Sequence, residues 1–229
     1  MVGDGSDIDA LIEEKAKAMQ DLRHQCFVKG TEISQIRRRI AKTIEKDIKQ
    51  SLSNLMLRSE FEIRFNEVEE SNDDSIFLPS GIDAVDFLIE TNVGEGLKSL
   101  SKVASGGEAS RIMLAFKIIF VKASRTATVI FDEIDTGLSG EAAFAVAKEI
   151  QALSRIAQVI AITHMPQVAS LSDHHILIHK EVSEGRTYTH IKELTLDEKI
   201  REVAYLISGG NITQKQLEYA KEMVLGGKD

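Results

Sequence analysis

The chain has 229 residues, 43% of them hydrophobic, with 2 Pro and no Trp, enough to bury one good core plus an appendage. A formal net charge of -8 argues against a protein that coats nucleic acid over its whole surface, although it leaves room for a local basic face. The single cysteine, Cys26, excludes an internal disulfide framework and suits a reducing compartment. The opening MVGDGSDID lacks the basic start and apolar run of a secretory signal, and no span approaches eighteen apolar residues, so the expectation is a soluble, cytoplasmic protein without membrane contact.

In chain order, the composition divides near residue 58. Residues 1–57 are charged, free of Pro and helical in period. Ile33, Ile36, Ile40, Ile44, Ile48, Leu52 and Leu55 form one apolar stripe over about 31–57, and Ile8, Leu11, Ile12, Met19 and Leu22 a weaker one over about 7–27. Lys29-Gly30 is the expected break between two helices. Such stripes with dense charge fit either a coiled-coil arm or a helix laid on a domain. Residues 58–229 form the second region. Phe61, Ile63 and Phe65 alternate with polar residues, as Val85, Phe87 and Ile89 do less cleanly, and Ile76-Phe77-Leu78 lies between them. A small antiparallel meander is expected, with turns at 72–74 and 79–81 and a long loop over 92–105.

An α/β rhythm follows. A helix is expected over about 107–123, an apolar strand over 128–131, a helix over 139–153 and a second apolar strand over 158–163. Unbroken apolar strands separated by helices predict a parallel sheet covered on both faces. Residues 175–181 and 187–193 flank Ser183-Glu184-Gly185-Arg186, a hairpin expected at the sheet edge. Helices over about 197–208 and 213–225, split by Gly209-Gly210, close the chain.

The chemistry concentrates at the junctions of these elements. Ser105-Gly106-Gly107 at a helix start offers backbone N–H groups, a hydroxyl and the positive helix end, all suited to a phosphate. Ser105-x-x-Glu108 is equally an ordinary capping box. Asp132 and Glu133 end the first buried strand, where α/β sheets place ligand chemistry. An Asp there can hold Mg²⁺ through water, and a neighbouring Glu can activate an attacking water; a strand running out into a polar turn has the same look. Asp135 follows two residues on, in a spacing that suits a loop facing another subunit. His164 follows the second strand and should lie near Glu133, because parallel strands end at the same edge. The other five histidines show no metal-ligand spacing and read as structural. There is no G-x-x-x-x-G-K-[ST] phosphate cradle; Gly94-Glu-Gly96-Leu-Lys98-Ser99 lacks its spacing.

In order and spacing, SGGEASR, VIFDEIDTG and ITHMPQVAS resemble the signature motif, the Walker B motif with D-loop, and the switch histidine of ABC-type ATPases. More narrowly, the stretch from Leu78 to Lys117 resembles the RecN family of bacterial DNA repair proteins, relatives of the SMC proteins. DEIDTGLSG favours that branch, since transporter ATPases usually carry Asp-Glu-Pro-Thr there. The resemblance covers roughly residues 31–225.

It implies an α/β fold, the C-terminal lobe of a P-loop ABC-type ATPase head, with a parallel sheet core, flanking helices, a small meander and N-terminal coiled-coil-like helices. It implies that Ser105, Gly106, Gly107 and Glu108 contact, in trans, an ATP held by a second head. It further makes Asp132 the Mg²⁺ residue, Glu133 the catalytic base, Asp135 the D-loop acid and His164 the switch. Ala109 departs from the usual residue after the signature glutamate, without an expected loss of phosphate contact. The implied cofactors are ATP and Mg²⁺, and they require a Walker A lobe. The implied partners are an N-terminal Walker A lobe, a second complete head, DNA and the recombinase RecA, in the cytoplasm at the nucleoid. Alone, the chain is expected to lack ATPase activity.

Arg38, Lys42, Lys46 and Lys49 fall near one helix face and could dock DNA phosphates. Glu45 and Asp47 interrupt that charge, so a merely solvated face is the competing reading, and no interleaved aromatics support base stacking. A head of another SMC-like or ABC ATPase and a non-catalytic assembly module stay open as alternatives.

Overall fold

The computed structural model describes residues 5–92, 94–102, 106–132, 138, 140–183 and 185–226. The chain folds as two units, Met1–Lys49 with Ser59–Lys102, and Gln50–Arg58 with Val103–Asp229.

In the first unit the expected break at Lys29-Gly30 does not occur. A single helix, α1 (Gly5–Asn54), runs through it. Glycine stands there for close approach: a Cβ on Gly30 would lie 2.7 Å from Cγ2 of Ile82, so the missing side chain lets the two segments touch. Three strands follow, β1 (Glu60–Phe65), β2 (Val85–Glu90) and β3 (Lys98–Ser99), in an antiparallel sheet of order β1-β2-β3. The meander is therefore present, but its third strand comes from the stretch expected to be loop. Ile76-Phe77-Leu78 is not a strand: Asp74–Ile76 is one 3₁₀ turn capped by the Asp73 side chain, and Leu78 only bridges to Gly81. Phe61, Ile63, Leu88 and Ile89 are buried, with Phe61 stacked on Phe87 at 6.2 Å. The connection from β1 to β2 is tied to α1. Ser34 Oγ and Arg37 both donate to Asp83, at 2.5 and 3.0 Å, and Arg37 also donates to the Ser80 carbonyl at 2.6 Å.

The second unit holds α2 (Gly106–Ser124), β4 (Thr128–Asp132), α3 (Gly140–Ser154), β5 (Gln158–Ile162) and the short α4 (Pro166–Ser170). After them come the hairpin strands β6 (Ile176–Ser183) and β7 (Arg186–Glu193), then α5 (Leu196–Ser208) and α6 (Gln214–Gly226). β4 and β5 pair in parallel, with Ile130 opposite Ile160 and Asp132 opposite Ile162. Helix α3 packs on β5 with Ala143, Val146, Ala147, Ile150 and Leu153 buried.

Two sequence expectations need correction here. The parallel pair is covered on one face only: Phe131 is buried, whereas Ile130, Ile160 and Ile162 on the other face are 59%, 45% and 52% exposed. The hairpin is not at the edge of that sheet, since β6 and β7 form a two-stranded sheet of their own. The closing helices form a small core in which Ile200, Val203, Ala204, Ala220 and Val224 bury Ala169 of α4. Helix α5 starts on a complete capping box between Thr195 and Glu198 and ends on Gly209, whose φ of 67° suits a residue without Cβ. Among the described residues no helix is long and apolar enough to cross a membrane.

Candidate functional site

Three sequence-expected positions, Ser105, Glu133 and Asp135, lie outside the described residues. The others are placed by the second unit. Helix α2 begins at Gly106, so Gly106, Gly107 and Glu108 make up its first turn. Glu108 there complements the positive end of the helix dipole. Three residues on, Arg111 turns back. Its Nε donates to the Gly107 carbonyl at 3.2 Å, and its Nη1 to the Leu55 and Met56 carbonyls at 3.3 and 3.1 Å. Sequence reasoning assigned Arg111 no role beyond membership of the motif; its function in the structure is to fix the first turns of α2 against the end of α1. A basic residue one helical turn after the glycine pair was the only available signal.

The parallel register brings Asp132 and the end of β5 to one edge of the sheet. Asp132 is exposed and lies on the open face with Ile130 and Ile162. Beyond β5, Thr163 Oγ1 accepts the Met165 N–H at 3.0 Å, and Pro166 opens α4. That hydroxyl-capped turn leaves the backbone no freedom to continue as strand. It presents His164 to a cleft of about 420 Å³ shared with Leu138, Gln167, Tyr219 and Met223. On the same wall, Oε1 of Gln167 is buried without a protein hydrogen-bond partner among the described residues. Asp132 and His164 thus stand at the same end of the parallel pair, while Glu133, the residue expected near His164, lies outside the described residues.

Among the described residues no three His, Cys, Asp or Glu side chains are gathered to hold a metal ion. Asp132 supplies a single hard carboxylate, a donor set that fits Mg²⁺ when nucleotide phosphates and water complete the shell. Of the remaining histidines, His174 meets Glu193 at 2.8 Å and His190 meets Glu181 at 3.3 Å, while His179 stacks on His190 at 5.1 Å. Partial burial, reinforced by the nearby Lys199 ammonium, pushes the His175 imidazole below its ordinary pKa.

The basic candidates lie on α1, in the first unit. Arg38 donates to Ser34 Oγ and to the Asn66 carbonyl and lies 4.8 Å over the Phe65 ring. Lys42 pairs with Glu45 at 2.9 Å and Lys49 with Glu60 at 2.5 Å. Lys46 has no ion pair among the described residues.

Comparison with known proteins places this arrangement. The chain superposes on the Smc head domain with coiled coil and joint from Pyrococcus yayanosii with a TM-score of 0.57 at 20% identity, covering 87% of this chain and 35% of that one. A structure from work on ATP-driven dimerization and DNA-stimulated activation of SMC ATPases aligns with a TM-score of 0.51 at 20% identity, over 73% of this chain and 92% of that chain. The fold is therefore that of an SMC-type ATPase head. In sequence, the chain is 41% identical to the DNA repair protein RecN of Bacillus subtilis over 94% of its length and 39% of that protein's. It is 40% identical to RecN of Halalkalibacterium halodurans over 94% of its length and 38% of the relative's. No protein-family model matches the chain. The chain thus matches RecN proteins over nearly its whole length, and it spans about two fifths of the length of the relatives it matches.

Proposed function

We propose that the chain is the C-terminal lobe of a RecN-type ATPase head that acts in recombinational repair of DNA double-strand breaks. The observation that carries this reading is the shared edge of the parallel pair, where Asp132 and His164 stand beside a sheet face left open in this unit. That face has the apolar character of a sheet interior, which suits completion by the lobe that carries a Walker A loop.

In this reading Asp132 holds Mg²⁺ through water, Glu133 takes a proton from the attacking water, and His164 contacts the γ-phosphate. Ser105, Gly106, Gly107 and Glu108 cap the ATP of a facing head through backbone N–H groups and the helix end, and Asp135 meets that head from the D-loop. Arg111 holds the capping turn in place through the end of α1. Bound ATP and Mg²⁺ supply the phosphoryl group and its charge neutralisation. The basic flank of α1, with Arg38, Lys42, Lys46 and Lys49, takes DNA phosphates. The partners of the complete protein are then its own Walker A lobe, a second head, DNA and the recombinase RecA, at the nucleoid in the cytoplasm.

Co-expression with a RecN Walker A lobe tests the proposal. The assembled head hydrolyses ATP, Glu133→Gln lowers that rate by about 10²-fold or more, and this chain alone is inactive. Robust hydrolysis by the isolated chain, or none by a stable assembly with intact motifs, overturns it.

A further inference from the structure

The segment between β1 and the 3₁₀ turn has a composition that its connecting role does not require. Of the nine residues from Asn66 to Asp74, five are carboxylates: Glu67, Glu69, Glu70, Asp73 and Asp74. The segment lies along α1 and is pinned to basic side chains at both ends. Arg38 donates to the Asn66 carbonyl at 2.7 Å. At the far end the Arg23 guanidinium forks onto both oxygens of Asp74, at 2.6 and 2.8 Å, and His24 Nδ1 meets Glu70 Oε1 at 2.8 Å. Arg23 and Arg38 are fifteen residues apart on the helix, or about 22 Å. Eight peptide steps from Asn66 to Asp74 reach at most about 28 Å. The strap can therefore span the two anchors, and it runs antiparallel to the helix.

At 100° per residue, His24, Arg38, Lys42, Lys46 and Lys49 project within an arc of about 80° on α1. The strap covers the N-terminal part of that arc and leaves the part from Lys42 to Lys49 beyond its end. We propose that the 66–74 strap is an internal competitor for nucleic-acid phosphates on the flank of α1, so that DNA must displace the Asp74 and Glu70 carboxylates to reach Arg23 and His24, and the Asn66 carbonyl to reach Arg38. This rests on the reading that the basic flank of α1 contacts DNA. The strap presents chemistry akin to that of a phosphate backbone, a run of closely spaced anions. Its end anchors are exposed, so water and salt can replace them. Held down, it limits binding to the Lys42–Lys49 portion; released, it exposes a flank more than three times as long.

The test is the affinity of the full chain for a labelled DNA duplex, read by fluorescence anisotropy across a salt series. Glu70→Gln with Asp74→Asn tightens binding at low salt by about tenfold and steepens the slope of log K against log salt by about two, as two or more further phosphates are engaged. Glu218→Gln with Glu222→Gln, which adds the same charge on α6, leaves the affinity within about twofold of wild type. Lys42→Glu with Lys46→Glu weakens binding in both backgrounds. If Lys42→Glu with Lys46→Glu weakens binding but the strap variant matches wild type in affinity and salt slope, the strap proposal fails with the DNA reading intact. If neither wild type nor the strap variant binds duplex, the DNA reading fails and the strap with it.

Discussion

The Arg111 guanidinium donates to the Met56 carbonyl at 3.1 Å, joining the helix that opens on Gly106 and Gly107 to a residue 55 positions earlier. Met56 needs such support. α1 ends in a Schellman arrangement, with the Leu57 N–H on the Leu52 carbonyl at 2.9 Å and the Met56 N–H on that of Ser53 at 3.0 Å. Leu52 and Leu57, both buried, stand at the two positions whose apolar pairing accompanies this motif. Met56 sits at a φ of 57°, the left-handed position normally given to glycine. Its side chain is half exposed, so little burial is lost on removing it. Met56→Gly should stabilise the chain by about 0.5–1 kcal/mol, because relief of about 1–2 kcal/mol of left-handed strain exceeds glycine's extra unfolded-state entropy. Arg111→Ala should destabilise it by about 1–2 kcal/mol through the uncapped carbonyls. Urea unfolding of both variants checks the pair; a Met56→Gly chain no more stable than wild type defeats the strain argument.

A second prediction concerns Glu45, a buried carboxylate on α1 whose Oε1 accepts the Ile63 N–H at 2.9 Å. Burial alone would raise its pKa. The Ile63 hydrogen bond, then Lys42, and the more distant Lys49 outweigh that and hold the carboxyl below its ordinary value. A depressed carboxylate stabilises the fold above its unfolded pKa, and this contribution disappears as pH falls through the folded value. Glu45→Leu leaves the Ile63 N–H buried and unpaired and should cost about 1–3 kcal/mol at neutral pH. Glu45→Gln keeps an acceptor and should cost less. Its deficit against wild type should also shrink as pH falls below the ordinary carboxylate range. A deficit that stays constant from pH 7 to pH 3 would show that the carboxylate's charge contributes nothing.

Gly30 separates propensity from packing. Alanine is favoured over glycine inside a helix by about 0.8–1 kcal/mol. A Cβ at this position meets Cγ2 of Ile82 at 2.7 Å and two further Ile82 atoms at 3.2 Å, and Ile82 is itself buried. Overpacking of this kind costs about 1–3 kcal/mol, so Gly30→Ala should be net destabilising by roughly 1 kcal/mol. Combined with Ile82→Ala, the same change should become favourable. A thermal-denaturation double-mutant cycle reads the coupling directly, and additive effects would mean that the contact is not felt.

These positions also show where the sequence was legible. Asp132 and His164 could be assigned to one sheet edge because two apolar runs of strand length, separated by a helix, leave few topologies except a parallel pair. Helices α2, α3, α5 and α6 follow their apolar periods within a residue or two. Gly30 misled because a glycine between two helical stripes looks the same whether it breaks a helix or admits a neighbour. Only Ile82, fifty-two residues away, tells the cases apart. The strand β3 was illegible for a related reason: two residues, Lys98 and Ser99, have no period, and their pairing with Leu88 and Ile89 supplies all the signal. The strap contacts of Arg23 and His24 depend on chain separations that no local pattern encodes.

The open face of the β4–β5 pair gives the last prediction. Ile130, Ile160 and Ile162 alternate with covered residues, so the apolar runs that suggested burial on both sides have one side exposed in this unit. On the proposed function, the Walker A lobe covers that side. Ile160→Thr with Ile162→Thr keeps β-branching, and with it the strand preference, while removing apolar surface from an exposed face. The isolated double variant should therefore unfold within about 0.5 kcal/mol of wild type for each substitution. Its co-purification with a RecN Walker A lobe should be lost, and the ATPase activity of the assembly with it. Substituting Val159 and Ala161 on the covered face should do the reverse, lowering stability before assembly. A threonine variant that assembles as well as wild type would remove this face from the lobe contact, because a docked apolar sheet loses about 25 cal/mol for every Å² of such surface left out of it.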